Sequence, residues 1–251
     1  MTYFVLYATV ATAVCRPFHI NMITGGRMTR ILALFVSLFL ANVCYGQGKI
    51  TSGNILNYDV RPAVQVGNQP IAFKEEAMKR KLVISIADNG DRNYAYTNGK
   101  PFGLFDKFLT RISSRGKMIE PKYRFKTLPG DKIEAGMKWT VSTGWYSGDC
   151  GEVKAEYQAT AAAGPTVTIS TNGKESNVSS LTLSYEGIAR DDKGCGSRQS
   201  KRTVVYVPEL EETVLDEFIA LVSSGFLADG YKVELKSLQV GGETYRIEMK
   251  N

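Results

Sequence analysis

Hydrophobic and polar residues alternate over short stretches along most of the chain, which is the pattern of half-buried β-strands. Residues 82–87 form a β-branched run that ends in the turn-forming residues 88–91. Residues 94–96 continue as strand up to Asn98-Gly99, and both of these residues tolerate the positive φ of a tight turn. We therefore predict strands and hairpins as the main elements.

The chain beyond residue 122 is the richest in strand patterns. The predicted strands are 139–146, 153–157, 166–170, 180–185, 203–207, 231–235 and 243–249. The turn Asn172-Gly173 is predicted to join 166–170 to 180–185 as a hairpin, and Gly241-Gly242 to join the last two strands.

Two segments have a helical spacing. In residues 104–112 the apolar residues fall on one helical face, which predicts a short helix packed on a sheet: Leu104, Phe105, Phe108, Leu109 and Ile112. In residues 213–222 apolar residues recur four apart, as in a helix, and also alternate, as in a strand. The residues alone allow either structure there.

These elements predict a mainly β fold, with α+β as the alternative. The expected architecture is a curved antiparallel sheet or partial barrel with one or two short helices. We divide the chain into residues 1–46, an upstream segment and signal peptide; residues 47–121, with a strand, a hairpin and a short helix; and residues 122–251, an antiparallel β domain.

The N-terminal segment has the features of an export signal. Arg30 precedes the apolar run 31–40, and small residues lead to Gly46, after which we expect cleavage. The run is shorter than the roughly 20 residues that span a bilayer. Met28 fits a signal-peptide start better than Met1, although the sequence does not decide between them. The mature protein is therefore expected to be periplasmic or extracellular, without an integral membrane span.

Cleavage would change the charge and the chemistry of the protein. The formal net charge is +6, but residues 1–46 contain three arginines and no acid, so 28 basic and 25 acidic residues remain. This balance is too mild to favour nucleic acid as a partner. The single histidine, His19, would also leave, which removes catalytic arrangements and metal sites that need histidine. Neither a metal nor a cofactor is predicted.

Cys150 and Cys195 would be the only cysteines of the mature chain. In an oxidising compartment such a pair is expected to form a disulfide. Its closed loop would stabilise the fold by about 3–4 kcal/mol on the chain-entropy model.

Candidate catalytic residues are few and weakly specified. Ser114 and Lys117 have the Ser-x-x-Lys spacing of serine acyl-enzymes, but no Lys-Thr-Gly partner follows. Four carboxylates could pair as acid and base, although nothing in the sequence brings them together: Asp149, Glu152, Asp191 and Asp192. We assign no catalytic residue.

Aromatic residues are concentrated where the β-rich region begins: Trp139, Trp145, Tyr146 and Tyr157. Core positions are the simpler interpretation. If one face of a curved sheet stays open, the same residues would line an apolar groove, and they are the candidate ligand-binding residues.

The C-terminal half resembles a broad class of exported bacterial β-rich domains of unknown function. The resemblance rests on Leu128-Pro129, on the Gly-x-x-Trp-Thr sequence from Gly136 to Thr140, and on Tyr-Val-Pro-Glu-Leu at residues 206–210. It implies a curved antiparallel sheet or partial barrel, a strand rather than a helix at 213–222, and no known activity.

The predicted function is that of an exported, non-enzymatic β-rich protein that binds an apolar small molecule or a cell-envelope protein. Two alternatives remain: a hydrolase that uses carboxylates or a Ser-Lys pair, and a purely structural envelope protein. A cleft with convergent buried carboxylates would favour the hydrolase, and an apolar cleft without them would favour the binding protein.

Overall fold

The computed structural model describes residues 50–147, 151–194 and 196–250. Residues 49–251 form one compact unit. The strands are β1 (Ile55–Val64), β2 (Ala72–Phe73), β3 (Met78–Ile86), β4 (Arg92–Tyr96), β5 (Pro101–Phe105), β6 (Ser113–Ser114), β7 (Lys117–Met118), β8 (Lys138–Ser147), β9 (Gly151–Ala163), β10 (Thr166–Thr171), β11 (Lys174–Val178), β12 (Leu181–Asp191), β13 (Ser197–Val207), β14 (Glu212–Val222), β15 (Leu227–Val240) and β16 (Glu243–Lys250).

Fourteen of these strands form one antiparallel sheet, in the order β5-β4-β3-β1-β15-β14-β13-β12-β9-β8, with β2, β10, β11 and β16 attached beside this path. The mainly β, antiparallel architecture predicted from the sequence is confirmed. The pairing of β1 with β15, from Ile55↔Gln239 to Pro62↔Tyr231, joins the N-terminal strands to the C-terminal ones. The strands on both sides of residue 121 therefore belong to the same sheet.

Two hydrophobic cores stabilise the sheet. The first is built mainly from β1, β3, β13, β15 and the neighbouring strands, and the second from β8, β9, β12 and β13. On β13, Val205 and Val207 belong to the first core while Val204 and Tyr206 belong to the second. Successive side chains of a strand point to opposite faces, so both faces of β13 are buried. The segment between β7 and β8 covers the second core with Phe125 and Leu128.

The helix predicted at 104–112 is wrong. Leu104 and Phe105 end β5, and the chain then turns at Asp106. The Asp106 Oδ1 atom accepts the amide N–H groups of Phe108 and Thr110, at 2.9 and 2.8 Å. Leu109 adopts a φ of 56° in this turn. Side-chain capping of the backbone by aspartate outweighs the helical spacing of the apolar residues. The only helix among the described residues is the single 3-10 turn Pro121–Tyr123.

The segment 213–222 is a strand, β14, as the resemblance implied. The turn Asn172-Gly173 also forms, with a φ of 47° at Asn172. The strand that it joins to β10 is β11, however, and not residues 180–185, of which 181–185 pair with β9 and β13 as part of β12. The prediction missed β11 because Lys174–Val178 is almost entirely polar. None of the described residues belongs to a helix long and apolar enough to cross a membrane.

Candidate polar cleft

A cleft of about 1290 Å³ lies over the solvent-exposed face of β8, β9, β12 and β13. We call it the polar cleft. The side chains from the strands that line it include Lys154, Glu156, Gln158, Glu186, Arg190 and Lys201, and the 3-10 turn Pro121–Tyr123 forms part of its wall. Both signs of charge are therefore present on its surface.

Alternation along β9 produces the polar floor of the cleft. Its odd-numbered residues from Val153 to Ala161 are buried in the second core, while Lys154, Glu156 and Gln158 are exposed on the other face. Gly187 on β12 lies opposite Tyr157, and a Cβ there would come within 2.3 Å of the Glu156 carbonyl oxygen and 2.7 Å of the Tyr157 ring. Glycine thus allows β9 and β12 to approach closely beneath the cleft.

Glu152 is a charged group of the cleft that two neighbouring side chains contact. Lys122 Nζ lies 2.9 Å from Glu152 Oε1, and the Tyr123 hydroxyl donates to the same oxygen at 3.3 Å. The hydrogen bond from Lys122 holds the pKa of the Glu152 carboxyl below its usual value, and the same bond raises the pKa of the Lys122 ammonium. Glu152 is therefore ionised at neutral pH, which suits a binding carboxylate and not a general acid.

The fold brings together three of the four carboxylates that could have paired as acid and base. Glu152, Asp191 and Asp192 all line the cleft, and the Asp192 amide donates to the Glu152 carbonyl at 3.2 Å. Asp149 lies outside the described residues. Acid–base hydrolysis of glycosides requires one carboxyl group to be protonated while the other is ionised. Glu152 does not meet the first requirement because its pKa is lowered.

The aromatic candidates occupy different environments. Tyr157 is buried, and its hydroxyl accepts a hydrogen bond from Ser200 Oγ at 2.9 Å. Trp139 and Trp145 are partly buried and pack against the second core, with Trp139 edge-on to the Tyr185 ring at 5.8 Å. Tyr146 is 66% exposed and pairs with Glu152 across β8 and β9. Tyr146 is the one of these four residues that solvent reaches freely.

The Ser-x-x-Lys residues lie on two short strands joined by a turn. Ser114 and Lys117 face each other across the two-residue turn between β6 and β7, with φ values of 51° at Arg115 and 80° at Gly116. No hydrogen bond between the Ser114 and Lys117 side chains is present. Within residues 50–147, 151–194 and 196–250, no group of three or more histidine, cysteine or acidic side chains could hold a metal ion.

Sequence analysis did not identify most residues of the cleft: Lys122, Tyr123, Lys154, Glu156, Glu186, Arg190 and Lys201. The charged positions alternate along β9 and β12, and this alternation was the available signal. It predicted an exposed strand face, but it could not show that residues of four strands and of the 3-10 turn would line one cleft. The predicted disulfide cysteines, Cys150 and Cys195, lie outside the described residues, as does the predicted signal peptide.

The chain was also compared with known proteins. No protein-family model matches it, and no curated protein matches it. Among solved structures, the hypothetical lipoprotein YmcC from Escherichia coli (K12) is similar, at 12% sequence identity and a TM-score of 0.40. The similarity covers 82% of this chain and 96% of that chain. A similarity at this level does not bear on function, which has to rest on the residues of this chain.

Proposed function

We propose that this chain is an exported cell-envelope module that binds a polar partner protein in the polar cleft and performs no catalysis of its own. The observation that carries the proposal is the size and charge of the cleft. Pockets for small apolar ligands typically enclose about 300–1,000 Å³ and are lined mainly by hydrophobic side chains. The cleft is larger, at about 1290 Å³, and charged side chains of both signs line it.

The charges in the cleft are only partly neutralised by the chain itself. Lys201 pairs with Glu186 at 2.9 Å, and Lys122 pairs with Glu152. Within the described part of the chain, the side chains of Lys154, Glu156 and Arg190 have no ion-pair partner. Charges of both signs on a partner surface would complement this arrangement, which gives specificity and faster association.

The aromatic candidates fit this proposal in two roles. Tyr146 stands at the exposed edge, where its ring and hydroxyl are available to a partner, as is typical of tyrosine in protein interfaces. Trp139, Trp145 and Tyr157 belong to the second core and support the opposite side of the strands that carry the cleft. Trp145 is close enough to the cleft strands to report binding by fluorescence, because it pairs with Val153 on β9.

Tryptophan fluorescence during titration tests the proposal against its competitors. We expect a saturable change with envelope protein fractions, absent in Lys154→Glu and retained in the control Lys132→Glu, which alters an exposed loop residue outside the cleft. A response to fatty acids alone that disappears in Trp145→Ala would instead support an apolar groove. Hydrolase activity abolished by Glu152→Gln or Ser114→Ala would replace the binding proposal with an enzyme.

Export carries its own tests. We propose that the mature chain begins at or near Gln47, which mass spectrometry of protein from the native host should show; a mature pool that starts at Met28 would contradict cleavage.

We also propose that Cys150 is bonded to Cys195. The hydrogen bond between Asp192 and Glu152 supports this pairing, since it places the described neighbours of the two cysteines side by side. Thiol labelling of unfolded, unreduced protein should therefore find no free thiol, whereas two labelled thiols per chain would exclude the bond.

A further inference from the structure

The side chains of Arg80 and Arg111, from separate segments, contact Phe102 on β5, and the main chain of Arg115 is bonded to the same residue, at the opposite end of the sheet order from the polar cleft. The Cζ atoms of Arg80 and Arg111 each lie 4.9 Å from the centre of the Phe102 ring. Arg111 Nη2 also donates to the Phe102 carbonyl at 3.1 Å, and the Arg115 amide donates to the same oxygen at 3.0 Å. The ring of Phe102 therefore positions the side chains of Arg80 and Arg111, and its carbonyl anchors the main chain at Arg115, whose charge acts on Arg111. We call these three arginines the arginine cluster.

The fold creates this cluster from positions far apart in sequence. Arg80 lies on β3, Arg111 follows the turn at Asp106, and Arg115 occupies the turn between β6 and β7. Arg111 reaches Phe102 because residues 104–112 are not a helix: the turn at Asp106 brings the chain back antiparallel to β5, with a bridge between Phe105 and Arg111.

The arginine cluster has no counter-ion within the described residues. Arg111 donates from Nε to the Ser113 carbonyl and from Nη2 to Phe102, while the guanidinium groups of Arg80 and Arg115 have no hydrogen bond or ion pair. The segments 77–87, 92–105 and 107–119 contain three, two and four basic residues and no acidic residue. Three of these nine basic residues have carboxylate partners in other segments: Lys79 pairs with Asp59, Arg92 with Glu211 and Glu212, and Lys107 with Asp131. The other six have no ion pair within the described residues, so these three segments keep a net positive charge.

Such a grouping of positive charges costs free energy. Like charges repel, and the repulsion grows when the groups are partly shielded from water. Burial and the charge of Arg80 both lower the pKa of Arg111, and Arg115 adds to this effect. Contact with the Phe102 ring offsets part of this repulsion. Arginine does not escape repulsion by losing its proton, because it stays charged at any physiological pH.

We propose that Arg80, Arg111 and Arg115 form a binding site for a phosphate-type oxyanion. A guanidinium group presents parallel N–H donors that match phosphate oxygens, and charge-assisted bonds of this kind are among the strongest in proteins. The oxyanion belongs either to a free phosphorylated molecule or to a phospholipid headgroup, which share this chemistry. This site is separate from the polar cleft, so either proposal can fail without the other.

The test compares the full chain with the double variant Arg80→Gln/Arg115→Gln. Arg111 is left in place because its hydrogen bonds hold the Ser113 and Phe102 carbonyls. The control, Lys132→Gln/Arg246→Gln, removes the same charge from the loop before β8 and from β16. Inorganic phosphate is titrated by calorimetry at low salt, and phosphatidylglycerol and phosphatidylcholine vesicles are tested by co-sedimentation.

We expect the double variant to bind at least about tenfold more weakly, since charge-assisted hydrogen bonds contribute on that scale. Phosphate should also raise the melting temperature of the wild type and of the control but not that of the double variant. The melting transition of the double variant itself shows that this variant is folded. Binding of phosphate assigns the site to a free anion, and binding of phosphatidylglycerol vesicles alone assigns it to a headgroup. The proposal is overturned if neither probe binds, or if the control weakens binding as much as the double variant does.

Discussion

Tyr185→Phe tests how the segment that carries Lys122 and Tyr123 is held to the sheet. Tyr185 lies fully buried on β12, and its hydroxyl donates to the Thr127 carbonyl, which belongs to a residue only 2% exposed. Burial raises the pKa of Tyr185, so the hydroxyl keeps its proton. The substitution preserves the ring but leaves the carbonyl without this partner.

The expected cost follows from the loss of one buried hydrogen bond. Leaving a buried carbonyl unsatisfied costs about 1–3 kcal/mol, and we expect a loss near the middle of this range because the ring contacts are retained. For a domain of this size, each kcal/mol lowers the melting temperature by about 2–4 °C. Urea unfolding should therefore show a lower midpoint with an unchanged slope.

Hydrogen exchange locates the effect of the same substitution. The Leu128 amide, which donates to the Phe108 carbonyl at 2.9 Å, should exchange faster in Tyr185→Phe than in the wild type. The matched control is Tyr146→Phe, which removes a hydroxyl from a residue that is 66% exposed and should change stability by less than about 0.5 kcal/mol. If Tyr185→Phe is as stable as this control, the hydroxyl does not anchor the segment and the reasoning is refuted.

Three further substitutions test other parts of the fold. Asp216→Asn should cost about 2–3 kcal/mol in urea unfolding, because it removes the bidentate partner of Arg202 (2.8 and 3.0 Å) from a pair that is about four-fifths buried; an unchanged midpoint would mean that water replaces the carboxylate without loss. Gly187→Ala should destabilise by about 1–3 kcal/mol, since its Cβ would lie 2.3 Å from the Glu156 carbonyl oxygen and 2.7 Å from the Tyr157 ring. Gly130→Ala, where the new Cβ meets nothing within 4 Å, should be neutral, and equal effects would exclude a packing cause. Burial raises the pKa of Glu234, but Lys236, Lys232 and Arg61 outweigh it, so the pKa is lowered and the carboxylate stabilises the fold above its unfolded pKa. This stabilisation should fade as the pH falls below about 4.5, and Glu234→Gln should flatten the acid limb of the stability curve.

Local sequence patterns predicted the strands well, because alternation and turn residues act within a few positions. The turn at Gly241-Gly242 connects the two strands expected on either side of it, and the turn at Asn98-Gly99 follows the expected strand β4. The failures arose where longer-range or side-chain effects outweigh the pattern. Asp106 caps a turn inside an apparent helix, and the polar strand β11 forms because β10 pairs with it.

The candidate sites were less predictable than the strands because they are assembled across the sheet. Glu152 and Lys122 are 30 positions apart and meet only because the segment before β8 folds beside the start of β9. Arg80 and Arg111 share one aromatic ring for a similar reason. A single sequence carries no periodic signal for contacts of this kind.

Photo-crosslinking in the native host tests the central claim, that the polar cleft binds an envelope partner, most directly. A photoreactive phenylalanine analogue replaces Gln158, which is exposed on the cleft floor, or Ser176, which is exposed on β11. We expect Gln158 to give one discrete adduct that disappears when Lys154→Glu and Arg190→Glu are added, and Ser176 to give none. No adduct from Gln158, or an adduct that survives the two charge reversals, would contradict the claim.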